Sequence, residues 1–298
     1  MFKIEKKVAL ASLLAAVGIG GAQAAPFADV AVLMDESGSM AGEQAWIKGA
    51  ITSLDTELVA LSLTPNNYAS VGFAVGGGPG LTRYFNVPAP GTSNTVAGLT
   101  QAFGTAADYQ TLTYSTAGGT EDGWAAIAAA NQYSFRAGTA RNYILVTDED
   151  RDAAQAGLTY AGTLASLTST NTLLNAIVDA TFRCTSTSTG PVIGISSGGA
   201  CYVADGAGGY VVGTGGSAAT GFGNTIADYV DLALASGGAA WDLNLLRAGG
   251  LVADSFTAAF VDIKVGEIQN QTPEPGSLAL LGLSVAGLAM ARRRKSDA

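Results

Sequence analysis

The sequence predicts an α/β fold built on a doubly wound, mostly parallel sheet flanked by helices. Three observations carry this. Strand-like and helix-like segments alternate along the body of the chain. Two of the strands, Val30-Ala31-Val32-Leu33-Met34 and Tyr143-Ile144-Leu145-Val146, are unbroken apolar runs, as expected where both faces of a strand are covered. The 298 residues are 48% hydrophobic and 13% charged, so the chain can bury a full core and lacks the composition of a disordered one.

The elements follow in order. After the strand at 30–34, residues 42–63 place Ile47, Ala50, Ile51, Leu54, Leu58 and Leu61 at helical spacing, and Pro65 closes that helix. Residues 68–75 alternate, with Val71, Phe73 and Val75 on one side, and the glycine-rich stretch 76–80 makes a turn. Residues 81–87 are expected to pair beside that strand as a hairpin, and 95–103 to form a short helix. Gly118-Gly119-Thr120 opens an Ala-rich helix over 121–133. The strand at 143–146 ends in Thr147-Asp148, and 158–167 and 172–178 read as helix and strand. Residues 181–222, rich in Gly, Ser and Thr, read as an insertion. Residues 226–235 form a helix stopped by Gly237-Gly238, 239–243 an edge strand, and 256–268 the last helix. No internal repeat is visible.

Composition excludes several functions. Histidine is absent, which removes the commonest general base and the usual ligands of a catalytic zinc. No glycine-rich loop ending in Lys-Ser or Lys-Thr supports a nucleotide site. Between Pro26 and Gln271 there are 8 Lys and Arg against 21 Asp and Glu, a balance of −13. A body this acidic is a poor partner for nucleic acid or an anionic membrane.

The ends read as addresses. Lys3, Lys6 and Lys7, an apolar run over 8–19 and Ala22-Gln23-Ala24 describe a signal peptide occupying 1–25; the alternative is an N-terminal anchor. At the other end, Thr272-Pro273-Glu274-Pro275 precedes an apolar stretch of 16 residues, 276–291, and then Arg292-Arg293-Arg294-Lys295. As a helix the apolar stretch measures about 24 Å, short of the roughly 30 Å of a hydrocarbon core. The order of parts resembles the PEP-CTERM sorting signal of Gram-negative bacteria, with Pro273, Glu274 and Pro275 as its motif. That resemblance implies recognition by an exosortase, transient anchoring in the inner membrane and delivery to the cell surface or extracellular matrix. A permanent single-span anchor is the alternative.

Cys184 and Cys201 lie 17 positions apart in the Gly/Ser/Thr-rich stretch. In an exported protein they are expected to form a disulfide across a loop too flexible to hold itself, contributing roughly 3 kcal/mol.

Asp35-Glu36-Ser37-Gly38-Ser39 sits where the first strand ends. Alternate residues of an extended chain face one way, so Asp35, Ser37 and Ser39 can aim three oxygens at one point. Oxygen-only ligands suit a hard divalent cation. With Thr120 at a helix start and Asp148 at a strand end, the set resembles the metal-ion-dependent adhesion site of von Willebrand factor type A (VWA) domains. The resemblance spans 28–268, interrupted by the insertion, and departs from the family in having Asp148-Glu149 where Asp-Gly is common. It implies a Rossmann-like sheet and a cation, Mg²⁺ with Ca²⁺ or Mn²⁺ as alternatives, held by Asp35, Ser37, Ser39, Thr120 and Asp148, with Asp148 acting through water. It also implies a partner carboxylate in the open coordination position. The acidic neighbours Glu36, Glu121, Asp122, Glu149, Asp150 and Asp152 read as a solvated rim or a second cation site, and leave a Ca²⁺-bridged acidic polysaccharide as another partner.

The function expected is therefore a non-enzymatic adhesion or interaction module. Its competitors are a structural matrix protein whose metal only stabilises the fold and, behind it, a metal-dependent hydrolase.

Overall fold

The structure is a computed structural model. It describes residues 27–75, 81–89, 94–95, 102–186 and 189–271. The expected signal peptide, the segment over 276–291 and the motif Pro273-Glu274-Pro275 lie outside these residues. Among the described residues no helix is long and apolar enough to cross a membrane.

Strand β1 (Ala28–Asp35) is buried along its whole length. Helix α1 (Ala41–Ala60) follows a short 3-10 turn and buries Ile47, Ala50, Ile51, Leu54 and Leu58. Strand β2 (Asn67–Phe73) pairs parallel with β1, and β3 (Arg83–Tyr84) and β4 (Asn94–Thr95) extend the sheet antiparallel on that side. Thr95, where the expected helix over 95–103 was to begin, is thus extended, and 96–101 of that helix lie outside the described residues. The helix of this region is α2 (Ala106–Gln110), closed at its start by reciprocal bonds between Thr105 and Asp108.

Helix α3 (Gly123–Ala130) leads to β5 (Ala140–Val146), which pairs parallel with β1 on its other side. Helix α4 (Tyr160–Ser169) and strand β6 (Thr172–Val178) come next.

The stretch expected to be a flexible insertion is instead five strands: β7 (Ala180–Arg183), β8 (Val192–Ser196), β9 (Ala200–Ala204), β10 (Tyr210–Thr214) and β11 (Ser217–Gly221). A π-helical turn over 226–230 runs into α5 (Asp231–Ala235). Strand β12 (Ala239–Asp242), the short helix α6 (Leu243–Arg247) and the long helix α7 (Gly250–Asn270) complete the chain.

The main sheet runs β10-β9-β8-β12-β6-β5-β1-β2-β3-β4, with β11 and β7 forming a separate ribbon. Its five central strands are parallel and both flanks antiparallel. Strand β12 is therefore interior, covered by β8, and not the edge strand expected from its sequence. The cysteine pair also does a different job. Cys184, just after β7, is bonded to Cys201 on β9, with Cα atoms 5.8 Å apart, so the disulfide ties the ribbon to the sheet.

Alternation along β1 divides the core into two layers. Val30, Val32 and Met34 pack with α1, α2 and α7, while Ala31 and Leu33 pack with α3, α4 and α5. A polar tie holds the end of α7. The Gln271 amide donates to the Arg141 and Asn171 carbonyls at 3.0 and 2.7 Å and accepts from Asn142 at 2.6 Å, all at the starts of β5 and β6.

Candidate metal centre

The five parallel strands end on one edge of the sheet, where ligands of open α/β folds bind. Strand register sets Met34 beside Val146, so the loops leaving β1 and β5 start as neighbours. The β1 loop turns tightly because the Ser37 backbone N–H donates to Asp35 Oδ1 at 2.7 Å. Ser37 and Ser39 hydroxyls then lie 3.0 Å apart, and Ser39 donates to Asp148 Oδ1 at 3.0 Å. Thr147 donates to Asp35 Oδ2 at 2.8 Å. Asp35, Ser37 and Ser39 of one loop thus form a connected set with Asp148, 109 positions beyond Ser39.

The third segment arrives differently from expectation. Gly118 makes a parallel bridge with Ser37, its N–H donating to the Glu36 carbonyl at 3.2 Å. A side chain at Gly118 would put its Cβ 1.0 Å from the Ala74 carbonyl oxygen, so only glycine allows this approach. Helix α3 begins at Gly123 and is capped by Asp122, so Thr120 lies in the preceding loop. Thr120 is half-buried, and its hydroxyl makes no hydrogen bond among the described residues. The neighbouring Glu121 is buried, and its carboxylate oxygen lies within 4.8 Å of oxygens of Asp35 and Asp148. These three make the single group of such acids among the described residues; a second cluster does not form there.

The loop after β5 is stapled to α3. Arg151 pairs with buried Asp122 through Nε–Oδ1 at 2.6 Å and Nη2–Oδ2 at 3.2 Å, and lies 4.0 Å over the Trp124 ring. The Gln155 and Ala125 N–H groups also donate to Asp122, at 2.9 and 3.3 Å. Glu121 and Asp152 exchange two bonds of 2.7 Å each, Glu121 N–H to Asp152 Oδ2 and Asp152 N–H to the Glu121 carbonyl. These contacts hold Asp148 and Glu121 against each other.

Like charges brought this close burden one another. Burial raises the Asp35 carboxyl, although the Ser37 N–H and Thr147 hydroxyl pull it down. Burial, then the charge and hydrogen bond of Asp35, push Glu121 up to about 9. A divalent cation relieves such a cluster, and carboxylate and hydroxyl oxygens are the donors hard cations take. The donor set fits a divalent cation. Glu36, by contrast, faces away: it pairs with Arg83 and accepts from the Ser115 N–H at 2.7 Å.

Arg247, at the end of α6, completes the surroundings. Its Nη2 donates to Asp148 Oδ2 at 3.0 Å and the Ser39 carbonyl at 3.2 Å, and its Nε to Glu43 Oε1 at 2.7 Å. Neither Arg247 nor the placement of Glu121 was legible from local spacing. The acidic run around Glu121 was the available signal for the latter.

Residues 271–295 match the PEP-CTERM protein-sorting motif. The chain carries this motif at its C-terminus, which implies export, a C-terminal membrane-anchoring sorting signal and recognition by an exosortase. No curated protein matches the chain by sequence. Several solved structures resemble it in part. Proximal thread matrix protein 1 from the mussel byssus, with a zinc-occupied MIDAS motif, is 15% identical at a TM-score of 0.34, over 53% of this chain and 37% of that one. The human COPII-coat protein Sec24c is 9% identical at 0.33, over 52% and 26%. The pilus adhesin SpaC from Lactobacillus rhamnosus GG, in an open conformation, is 16% identical at 0.30, over 51% and 24%. The chain thus spans well under two thirds of each of these molecules.

Proposed function

We propose that this protein is an exported, surface- or matrix-associated interaction module that grips its partner through one divalent cation at the carboxyl edge of the sheet. The observation supporting this most directly is the convergence of Asp35, Glu121 and Asp148 with the linked hydroxyls of Ser37 and Ser39. Asp35, Ser37, Ser39 and Asp148 hold the ion in this reading, Glu121 joins them, and Thr120 contributes from the adjoining loop. Mg²⁺ is the proposed ion, because a compact all-oxygen set that leaves positions to water suits it. An acidic group of the partner takes an open position. No catalysis is assigned: hydrolysis needs a base dedicated to a metal-bound water, and among the described residues every carboxylate in the group lies within ligand reach of the same point.

The competing reading, a metal that serves only to hold the fold, draws on how closely the ligands are tied to structural bonds such as Asp35–Thr147 and Glu121–Asp152. Titration of the exported body with Mg²⁺, Ca²⁺ and Mn²⁺ by calorimetry is expected to fit one site, lost in Asp35→Ala. Capture from native matrix is expected to be abolished by chelator while circular dichroism stays native. Partner capture that survives chelation refutes the ion-bridged reading. Loss of the folded spectrum on chelation favours the purely stabilising one.

A further inference from the structure

We propose that Arg247 is the second contact for the partner's carboxylate, and that the partner is a protein segment carrying an acidic side chain beside a basic one. The inference rests on the cation reading above and adds to it the chemistry of what is recognised.

The two carboxylate oxygens of Asp148 are divided. One accepts from Ser39, within the group that fits a cation, and the other accepts from Arg247. The guanidinium and the ion site therefore flank a single carboxylate, which makes them adjacent positive points on one surface. Arg247 is held for this position: Nε is taken by Glu43, a side chain only 5% exposed, and Nη2 by Asp148 and the Ser39 carbonyl. Its side chain is still 33% exposed, and Nη1 has no hydrogen-bond partner among the described residues. Two N–H donors thus reach the surface on a group that is already ordered, so little side-chain freedom is lost on binding. A planar guanidinium matches a carboxylate in a way a point charge does not.

The flank after Asp148 is acidic. Glu149 and Asp152 are exposed and Asp150 is half-buried. A uniformly anionic polymer gains at Arg247 and loses at this flank, whereas an acidic group with a basic neighbour is complementary to both. This favours a protein segment over a polyuronate.

The test uses the whole exported body. A random Glu–Lys copolymer, poly-Glu and polygalacturonate are immobilised at equal carboxylate density, and binding is measured with Mg²⁺ and with chelator. The wild type is expected to bind the copolymer best, and only with Mg²⁺. Arg247→Gln is expected to weaken that binding at least about tenfold, the scale of one lost charge-assisted contact. Its Mg²⁺ affinity by calorimetry is expected to stay within about threefold. Arg247→Lys is expected to fall between. If Arg247→Gln lowers Mg²⁺ affinity and copolymer binding in parallel, the arginine only positions Asp148 and the inference fails. Copolymer binding unchanged in Arg247→Gln also overturns it. A preference for polygalacturonate overturns the partner class. A wild type that takes up Mg²⁺ but binds none of the three overturns the carboxylate reading of the site, and no Mg²⁺ uptake overturns the cation site itself.

Discussion

Replacing Arg151 by Met strands the Asp122 carboxylate inside the protein. The side chains of Asp122 and Arg151 are 0% and 8% exposed, and the pair is made through two hydrogen bonds. Removing one member of a buried pair costs about 3–5 kcal/mol, mostly because the remaining charge is uncompensated. Asp122 keeps the Ala125 and Gln155 N–H groups, which puts the loss near the lower end. The stacking over Trp124 is lost as well, and cation–π contacts contribute about 0.5–2 kcal/mol. A total of about 3.5–5 kcal/mol follows, or about 10–15 °C in melting temperature for a body of this size. Unfolding in urea with excess chelator measures this free of any metal linkage. Asp122→Asn combined with Arg151→Met removes the orphaned charge and is expected to recover at least half of the loss. Because Arg151 lies three residues past Asp148, the single variant is also expected to weaken Mg²⁺ binding about tenfold. A single-variant loss below about 1 kcal/mol, or a double variant no better than the single, would refute the reasoning.

Other outcomes follow from the same structure. Gly118→Ala is expected to abolish Mg²⁺ binding while retaining most secondary structure, since the added Cβ forces the 118–121 segment off the Ala74 carbonyl; calorimetry with circular dichroism checks both. Asp242, raised to about 6 mainly by burial, binds its proton more tightly in the native body than in the unfolded chain. It therefore subtracts stability as pH rises from about 4 to 6, and urea midpoints of Asp242→Asn at pH 4 and 7 are expected to gain on the wild type across that interval. Replacing both Cys184 and Cys201 by Ser is expected to cost about 3 kcal/mol in thermal unfolding, with hydrogen exchange rising first in the ribbon of β7 and β11.

The parallel centre of the sheet was legible because its strands are doubly covered and hence continuously apolar: the residues of β6 coincide with the expected strand, and β1 and β5 extend theirs by a few residues. The flank was not. Val192-Ile193, Tyr202-Val203 and Val211-Val212 are short apolar pairs between glycine turns, too brief to show a period, so strands β8 to β10 read as loop and β12 consequently as an edge. Thr105 and Asp108 held a readable capping signal that would have moved the expected helix to α2. At the candidate site, Asp35, Ser37, Ser39 and Asp148 were legible because strand ends aim alternate side chains together. Glu121 was not distinguished from Thr120, because the segment is neither strand nor helix there, and its rotation is set by remote pins at Gly118 and Asp152. Arg247 reaches Asp148 across 99 positions of sequence, a contact no local pattern encodes.

The amide of Gln271 fastens the end of α7 to the beginnings of β5 and β6, whereas the acidic loops hang from the finishes of β1 and β5, about 20 Å away along strands of this length. Tension applied at Gln271 enters the body through its bonds to Asn142, Arg141 and Asn171 and is shared among five laterally bonded strands. The loops at the far rim stand off that load path. A pull on the body from that side thus leaves the geometry of the acidic loops on the other unchanged.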